Sequence, residues 1–521
     1  MDIINTIIRL CTLLMMACCI AGLFVVGKKI IHNNRKLKFI LMSLGVATCA
    51  YACMAMSMHY SVDSFNLIDD PGAYWHMQLG RYLNCGEILW EELLGLNPVI
   101  DQCFFAILWI VSVAISIYIV NDAIGTIFNP NDYIWKEVII WTSVSLAFIN
   151  ICMMEFVLFP EVMAFNGFGV IALSLAIWFA LQKKGFSSRW FLTFVFVMIA
   201  LGNYQSYIGI FEAFVLIGSF FLWCDEGSKK YSNLCMSLAV GGIASIINVI
   251  LVKMLVAFNI LGDSGRGAGL ELKTIIHNFY VLFHYQKKLW LNADGLMPSY
   301  VMPLLALVLV LILWDIIKGM AKADKIVFII IVLISYLLSF APHIIENRIW
   351  LTPRSNVAIW SVISLVLIAG TNIQLKDGIK LVASVCVCVL FLNVFVMQDM
   401  AANNQMVNAA DFVEANQICN EIKKYEKETG NVIKQLVVGY DEEPTIYQPF
   451  SRYKIAEFGT RILVTSYSGY KLISYMLGRP LEKIDMSDEI YNQYFKVENW
   501  NCLDVNEQMW FENETAYLII Y

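Results

Sequence analysis

The chain has 521 residues, of which 59% are hydrophobic and only 15% are charged. Soluble globular proteins carry about 25% charged residues, so this composition indicates a membrane protein rather than a soluble one. The formal net charge is −6, and no basic patch of the kind that nucleic acid requires is present in the sequence.

Twelve hydrophobic runs are candidates for membrane-spanning helices, each of which needs roughly 20 residues. We therefore predict a polytopic α-helical membrane protein with about twelve transmembrane helices. The pair within 190–223 is the weakest because both runs are short. The runs lie near residues 5–27, 37–57, 102–120, 138–157, 162–182, 190–203, 206–223, 232–257, 300–317, 325–341, 355–371 and 378–397.

Lys and Arg residues are concentrated in alternate short loops, which the positive-inside rule assigns to the cytosol. The loop after the first run is the clearest case, with Lys28, Lys29 and three further cations. By contrast, segment 58–101 has seven acidic residues and Arg81 as its single Lys or Arg. We expect a multi-pass protein of the cytoplasmic (inner) membrane, with 58–101 and the C-terminal region facing outside.

Segment 58–101 contains two adjacent acids, Asp69 and Asp70, followed by Pro71. The Asp-Pro pair predicts an N-cap and the first position of a helix over about 71–83. Alternating apolar and polar faces predict that this helix lies in the membrane interface. Both acids are candidate catalytic residues. Helix capping would by itself account for Asp70, but it does not account for Asp69.

Acidic side chains at the outer membrane face are rare enough to be tested for function. Asp69 has the chemistry of a general base for an acceptor hydroxyl, since a low local dielectric and an acidic neighbour both raise a carboxyl pKa. ATP and sugar nucleotides do not reach this side of the membrane. The residues therefore favour sugar transfer from a lipid-linked donor, although Asp69 as a solvated loop acid is the plain alternative.

Three arginines are candidate ligands for the phosphate of such a donor: Arg81, Arg348 and Arg354. The guanidinium group binds phosphate by paired, charge-assisted hydrogen bonds. The alternatives are an ion pair of Arg81 with Asp70 or Glu87 and snorkelling of the other two toward headgroups. Lys287 and Lys288 are weaker candidates for the same role.

A polar turn between two short spans contains Tyr204 and Gln205, which are further candidates for substrate binding. Glu155 flanks another outer turn and is expected to line the same cavity or to mark the membrane interface. The glycine-rich stretch 262–269 lacks a phosphate-loop motif, and we interpret it as a flexible lid hinge. An amphipathic helix follows it and continues through Ile276 to Lys288.

The composition changes after Met400, where charges recur every few residues and no membrane-length run remains. We predict a transmembrane catalytic domain over 1–399 and an extracytoplasmic α/β domain over 400–521. The second would contain a helix over 404–428 and strands at 436–440 and 516–521. Whether Cys419 and Cys502 pair is left open, because nothing in the sequence fixes their distance.

The order and setting of Asp69-Asp70, Gly80-Arg81-Tyr82 and Tyr204-Gln205 resemble the type II Gtr membrane glucosyltransferases, including those that decorate bacterial O-antigen. The resemblance extends over most of 1–400 in hydropathy. The family often has Trp where this chain has Tyr82, and 400–521 carries no motif that matches. The family is similar to the GT-C class of glycosyltransferases.

The resemblance implies a polyprenyl-phosphate sugar donor, with glucose as the expected sugar, and a cell-surface glycan acceptor. It implies that Asp69, the first acid of the pair, is the catalytic base of a single inverting displacement. It does not assign a metal or another cofactor, and we expect none. Two alternatives stay open: a transporter or flippase for lipid-linked sugars, and a polysaccharide polymerase or ligase that uses a diphosphate-linked donor.

Overall fold

The computed structural model describes residues 2–30, 34–68, 72–128, 133–183, 188–224, 226–262, 264–268, 271–373, 376–440, 451–455, 457–496 and 505–520. Helices dominate these residues. In chain order they are α1 (Asp2–Ile30), α2 (Asn34–Ala55), α3 (Ser64–Leu67), α4 (Ala73–Gln78), α5 (Tyr82–Leu94), α6 (Gln102–Phe128), α7 (Ile134–Phe148), α8 (Ile151–Leu158), α9 (Met163–Ala180), α10 (Arg189–Leu201), α11 (Tyr207–Leu222), α12 (Gly227–Ala257), α13 (Leu272–Asn292), α14 (Val301–Gly319), α15 (Lys322–Leu338), α16 (Ala341–Ile345), α17 (Ala358–Ala369), α18 (Lys376–Thr429), α19 (Gly469–Leu477), α20 (Asp488–Tyr494) and α21 (Val505–Gln508). The strands are β1 (Gln435–Tyr440), β2 (Glu482–Asp485), β3 (Met509–Glu512) and β4 (Thr515–Ile520).

Eight helices within the described residues are long and apolar enough to cross a membrane. Three shorter apolar helices, at 165–180, 189–201 and 207–222, correspond to predicted spans. The chain is therefore a polytopic helical membrane protein, and the predicted number of twelve spans is not reached by length and composition alone.

The chain divides into two compact units. The first contains residues 1–57, 72–157 and 162–398, and the second contains 58–71, 158–161 and 399–521. The core of the first unit is formed by helices that are apolar all round, as is expected of central helices in a bundle. All twelve residues of α17 are buried, whereas α12 exposes Ile243, Ile246 and Ile250 along its length.

The sheet of the second unit has the strand order β2-β1-β4-β3. Strand β1 is parallel to both β2 and β4, and β3 pairs antiparallel with β4. The buried side chains Val438 and Leu518 on this sheet belong to the same core cluster as Ile422 of α18 and Leu472 of α19. Strands are thus present at both places where the sequence predicts them.

The predicted helix over 71–83 is wrong in two respects. The chain instead forms α4 and α5, and the N-cap residue of α4 is Gly72 rather than Asp70. The break lies at residues 79–81, where Gly80 has a φ of 77°. This left-handed conformation is open to glycine at little cost and interrupts a right-handed helix.

Helix α18 joins two elements that the sequence predicts separately, the span at 378–397 and the helix at 404–428. The amphipathic helix predicted after the glycine-rich stretch is present as α13. Its apolar side chains Ile276, Phe279 and Phe283 are exposed on the protein surface, as is expected for a helix in the membrane interface.

Candidate active site

A cavity of about 580 Å³ opens in the first unit. Its walls come from the α4–α5 joint, the turn between α10 and α11, the last turns of α12, residues 264–268 and the segment 341–355. Among the described residues that line it, Glu346 is the single carboxylate, whereas five side chains are cationic. These are Arg81, Lys253, Arg266, Arg348 and Arg354.

The cavity is also lined by apolar side chains, which come from α10, α11 and α12. The lining residues of this kind include Leu201, Ile208, Val249, Val252 and Val256. A cavity with an apolar wall and converging cations suits an amphiphilic anion, because apolar surfaces supply affinity and a few polar groups fix orientation.

The joint between α4 and α5 positions Arg81 at the cavity. Gln205 Nε2 donates to the Leu79 carbonyl oxygen at 2.6 Å, and Asn248 Nδ2 donates to the Gly80 carbonyl oxygen at 3.0 Å. A Cβ atom at Gly80 would lie 2.7 Å from Asn248 Oδ1. The backbone therefore requires the glycine that precedes Arg81, and Gln205 supports this joint as well as lining the cavity.

The Arg81 guanidinium lies over the ring of Tyr204, 4.6 Å from its centroid. Burial lowers the pKa of Arg81, while Tyr204 and Glu346 raise it and Arg354 and Arg266 lower it further. Its Nε has no hydrogen-bond partner in the part of the chain that the structure describes. An incompletely paired guanidinium in this setting is suited to an anion.

The alternative ion pair between Arg81 and Glu87 is absent. Both carboxylate oxygens of Glu87 are buried without a hydrogen-bond partner among the described residues, and burial raises its pKa well above the ordinary value. Burial therefore favours the neutral form of Glu87, and its carboxylate does not act as the counter-ion of Arg81.

Arg354 is held by Glu155, which approaches it from behind the cavity wall. Arg354 Nη1 lies 3.0 Å from Glu155 Oε1, and the Arg354 backbone N–H donates to Glu155 Oε2 at 2.6 Å. Arg354 lies in a one-turn 3-10 helix, Pro353–Asn356, whose start is closed by a capping box between Thr352 and Ser355. These contacts fix the position at which the guanidinium meets the cavity.

Two lining cations, Lys253 and Arg266, are not predicted from the sequence. Lys253 lies in α12 within a predicted span, and an ionisable residue inside such a run is itself a signal for function. Arg266 lies in the glycine-rich stretch, with its guanidinium 5.9 Å from the ring centroid of Trp75 and 5.7 Å from that of Trp350. Composition alone gives no indication of that arrangement.

The other predicted site residues are distributed as follows. Asp69 and Asp70 lie outside the described residues, and α4 begins four positions after Asp69. Tyr204, Arg348 and Arg354 line the cavity with Arg81. Lys287 and Lys288 are exposed on α13 and are not among the lining residues.

Glu161, which flanks the same predicted turn as Glu155, belongs to the second unit. Its carboxylate accepts hydrogen bonds from the hydroxyls of Ser61, at 2.6 Å, and Ser64, at 3.2 Å. Burial and the nearby charge of Asp63 raise the pKa of Glu161 to about 8.

Within the described ranges, no group of three or more His, Cys, Asp or Glu side chains is arranged to hold a metal ion. Cys419 is buried, and its thiol lies 3.8 Å from the Ile473 carbonyl oxygen. Cys502 lies outside the described residues.

The sequence of this cavity-bearing region matches one known family. The model of the family described as Glucosyl transferase GtrII covers residues 52–370, more than half of the chain. This range contains all the residues that line the cavity. No curated protein and no solved structure is significantly similar to the chain.

Proposed function

Since the chain belongs to the glucosyl transferase GtrII family and is therefore a membrane glycosyltransferase, we propose that it transfers glucose from a polyprenyl-phosphate donor to a cell-surface glycan. The observation that carries this proposal is the cavity itself, with five cations facing an apolar wall. A phosphate group attached to a long hydrocarbon chain matches both surfaces.

In this proposal the donor phosphate binds Arg81, Arg348 and Arg354, and Lys253 adds a fourth cation. The isoprenoid units next to the phosphate lie against α12, where Val249, Val252 and Val256 line the cavity. The ion pair with Glu155 holds Arg354 in place. The phosphate leaves with an additional negative charge, so prearranged cations stabilise the transition state more than the ground state.

The chemical step is a single displacement at the anomeric carbon of glucose. An acceptor hydroxyl forms the new bond to that carbon while the bond to the phosphate oxygen breaks. Asp69 accepts the hydroxyl proton as general base, and the electron pair of the broken bond leaves with the lipid phosphate. Attack opposite the leaving group inverts the anomeric configuration.

Charge sorting along the sequence supports the proposed location. Lys and Arg in alternate loops favour an orientation in the cytoplasmic membrane with the catalytic loop outside. Residues 400–521 would then lie on the same side, where they are proposed to hold a polymeric O-antigen-like acceptor.

The two alternative functions differ from glucose transfer in their chemistry: a flippase catalyses no reaction, and a polymerase or ligase uses another donor. A flippase would move the lipid-linked sugar without breaking its glycosidic bond. A polymerase or ligase would use a diphosphate-linked oligosaccharide. The cations of the cavity are compatible with a diphosphate, so this alternative must be separated by experiment.

The test uses the purified full-length protein in liposomes with radiolabelled glucosyl polyprenyl phosphate and a delipidated cell-surface glycan. We expect the label to appear in the glycan and bare polyprenyl phosphate to accumulate in equal amount. UDP-glucose should not replace the donor. Label that crosses the bilayer but remains on the lipid would support the flippase, and transfer only from a diphosphate-linked donor would support the polymerase or ligase.

A further inference from the structure

One edge of the cavity carries side chains that the binding of a lipid phosphate does not require. Glu346, Asn347 and Trp350 line it there. Glu346 forms an isolated β-bridge with Ala268, and the Asn347 N–H donates to the Gly267 carbonyl oxygen at 3.0 Å. The backbone of this edge is thus joined to the glycine-rich segment.

The backbone is also held from α13. Asn278, which is buried, donates through Nδ2 to the Glu346 carbonyl oxygen at 2.8 Å and to the Ile344 carbonyl oxygen at 3.2 Å. Hydrogen bonds from two separate elements keep the segment in one conformation. The edge is therefore preorganised before a ligand arrives, which lowers the entropic cost of binding.

The Glu346 carboxylate is fixed through one of its oxygens. His343 Nδ1 lies 3.0 Å from Glu346 Oε2, and the Trp350 backbone N–H donates to the same oxygen at 3.4 Å. Glu346 Oε1 has no hydrogen-bond partner within the described residues. A positioned carboxylate oxygen in a cavity is an acceptor for a neutral hydroxyl donor, and hydrogen bonds to charged groups are the stronger kind.

Trp350 supplies a flat surface beside this carboxylate. Its side chain is 44% exposed although it lines the cavity, and Arg266 lies 5.7 Å from its ring centroid. Indole rings have an electron-rich face that attracts electropositive groups, including the C–H bonds of a sugar ring. An aromatic surface next to a fixed carboxylate and an amide is the chemistry that binds a pyranose.

We propose that Trp350, Glu346 and Asn347 form a subsite for the glucosyl group of the donor. Trp350 would stack on the sugar ring, while Glu346 and Asn347 would hydrogen-bond its hydroxyls. The proposal rests on the proposed donor. This subsite lies next to the phosphate-binding cations, because Arg81 interacts electrostatically with both Glu346 and Arg354. The sugar is expected at such a place, since its anomeric carbon is joined to the phosphate through a single oxygen.

The experiment compares two lipids that share the polyprenyl phosphate; the bare lipid lacks the sugar and carries more negative charge on its phosphate, so each variant is compared with the wild type on the same lipid. Binding of glucosyl polyprenyl phosphate and of bare polyprenyl phosphate is measured with the full-length protein and with the variants Trp350→Ala and Glu346→Gln. Loss of a hydrogen bond to a charged group corresponds to about 10–100-fold in affinity. We expect a loss of this size for the glucosylated lipid and no loss for the bare lipid.

Trp75→Ala is the matched control. Trp75 is 43% exposed and contacts the same Arg266, but it does not line the cavity. Both lipids should bind this variant as they bind the wild type, which separates a sugar contact from general membrane anchoring by exposed tryptophan.

Three outcomes overturn the proposal. Equal losses for both lipids in the Trp350 and Glu346 variants would mean that the residues support the phosphate or the fold. Unchanged donor affinity with a raised KM for the glycan would assign the subsite to the acceptor. Unchanged donor affinity and unchanged transfer kinetics in these variants would show that Trp350 and Glu346 do not bind a sugar. If wild-type protein binds neither lipid, the proposed donor itself is wrong, which is a separate failure.

Discussion

Arg354 and Glu155 are 199 residues apart in the sequence and are joined twice in the structure. The guanidinium Nη1 lies 3.0 Å from Glu155 Oε1, and the Arg354 backbone N–H donates to Glu155 Oε2 at 2.6 Å. The Glu155 side chain is 1% exposed and that of Arg354 is 18% exposed. One carboxylate therefore fixes both the side chain and the backbone of a cavity-lining cation.

Glu155→Ala should reduce the stability of the protein and its affinity for the donor. Removing one partner of a buried ion pair costs about 3–5 kcal/mol, because the other charge is left uncompensated. Thermal unfolding in detergent measures the first effect. Glu155→Gln is the control, since its amide oxygen still accepts from the backbone N–H, and its loss should be smaller. Equal stability of Glu155→Ala and wild type would contradict the pairing.

Asp69→Asn should lower the rate of glucose transfer by about 10²–10⁴, the usual contribution of a general base. Donor binding should stay unchanged, because the amide retains the size of the carboxyl. Initial rates of label transfer and equilibrium donor binding are measured on the same preparation. Asp70→Asn is the neighbouring control. Full activity of Asp69→Asn together with loss of activity in Asp70→Asn would transfer the role to Asp70.

Alanine at Arg81, Arg348 or Arg354 should weaken donor binding, and Arg→Lys should restore only part of it, because lysine lacks the paired donors of the guanidinium. Each charge-assisted hydrogen bond lost corresponds to about 10–100-fold in affinity. Lys253→Met should lower affinity less. Lys318→Ala, at the end of α14 and away from the cavity, is the control.

Bare polyprenyl phosphate is a suitable probe for the same series, because it isolates the phosphate contact from the sugar. If all three arginine variants bind this lipid as tightly as the wild type, the phosphate lies elsewhere. Lys287→Ala and Lys288→Ala should then be examined, since these are the remaining candidates from the sequence.

The free energy of unfolding should fall as the pH rises from the ordinary pKa of the Glu161 carboxyl to its raised value in the folded protein. Its pKa is raised from an ordinary 4.5 to about 8, chiefly by burial and also by Asp63. Between these values the folded protein binds the proton that the unfolded chain releases, so stability is greatest at low pH and is lost toward pH 8. Glu161→Gln, which carries no titrating proton, should flatten the unfolding temperature between pH 5 and pH 8. An unchanged pH slope would contradict this role.

The proposed orientation predicts where an introduced cysteine reacts with a membrane-impermeant reagent. Glu489→Cys, on exposed α20, should be labelled in intact cells, or in spheroplasts where an outer membrane blocks the reagent. Lys322→Cys, at the first residue of α15, lies at an end that the positive-inside rule assigns to the cytosol, and it should be labelled only after the inner membrane is opened. Because the chain has fourteen cysteines, both variants need a background with the exposed ones replaced. The reverse pattern would place residues 400–521 in the cytosol and remove their proposed role with the acceptor.

Composition and hydrophobic run length were sufficient to predict a polytopic helical membrane protein, because the cost of unpaired backbone groups in lipid permits few structures. Short motifs were sufficient to identify the family, whose model matches 52–370. Two of the four strands described in the C-terminal region, β1 and β4, were also predictable from β-branched and aromatic runs, whereas β2 and β3 were not. Each of these features is local, so each is present in the sequence.

The cavity was decided by tertiary structure. The Gly80 break was not predicted because the polar and apolar pattern of 71–83 fits a helix, and only the close approach of Asn248 and Gln205 shows why a glycine is needed. Arg354 forms an ion pair with Glu155, which is 199 residues away in the sequence. The Arg266 guanidinium lies over the ring of Trp350, which is 84 residues away. Periodicity does not encode such pairs, because they depend on which helices pack together rather than on the order of residues within one helix.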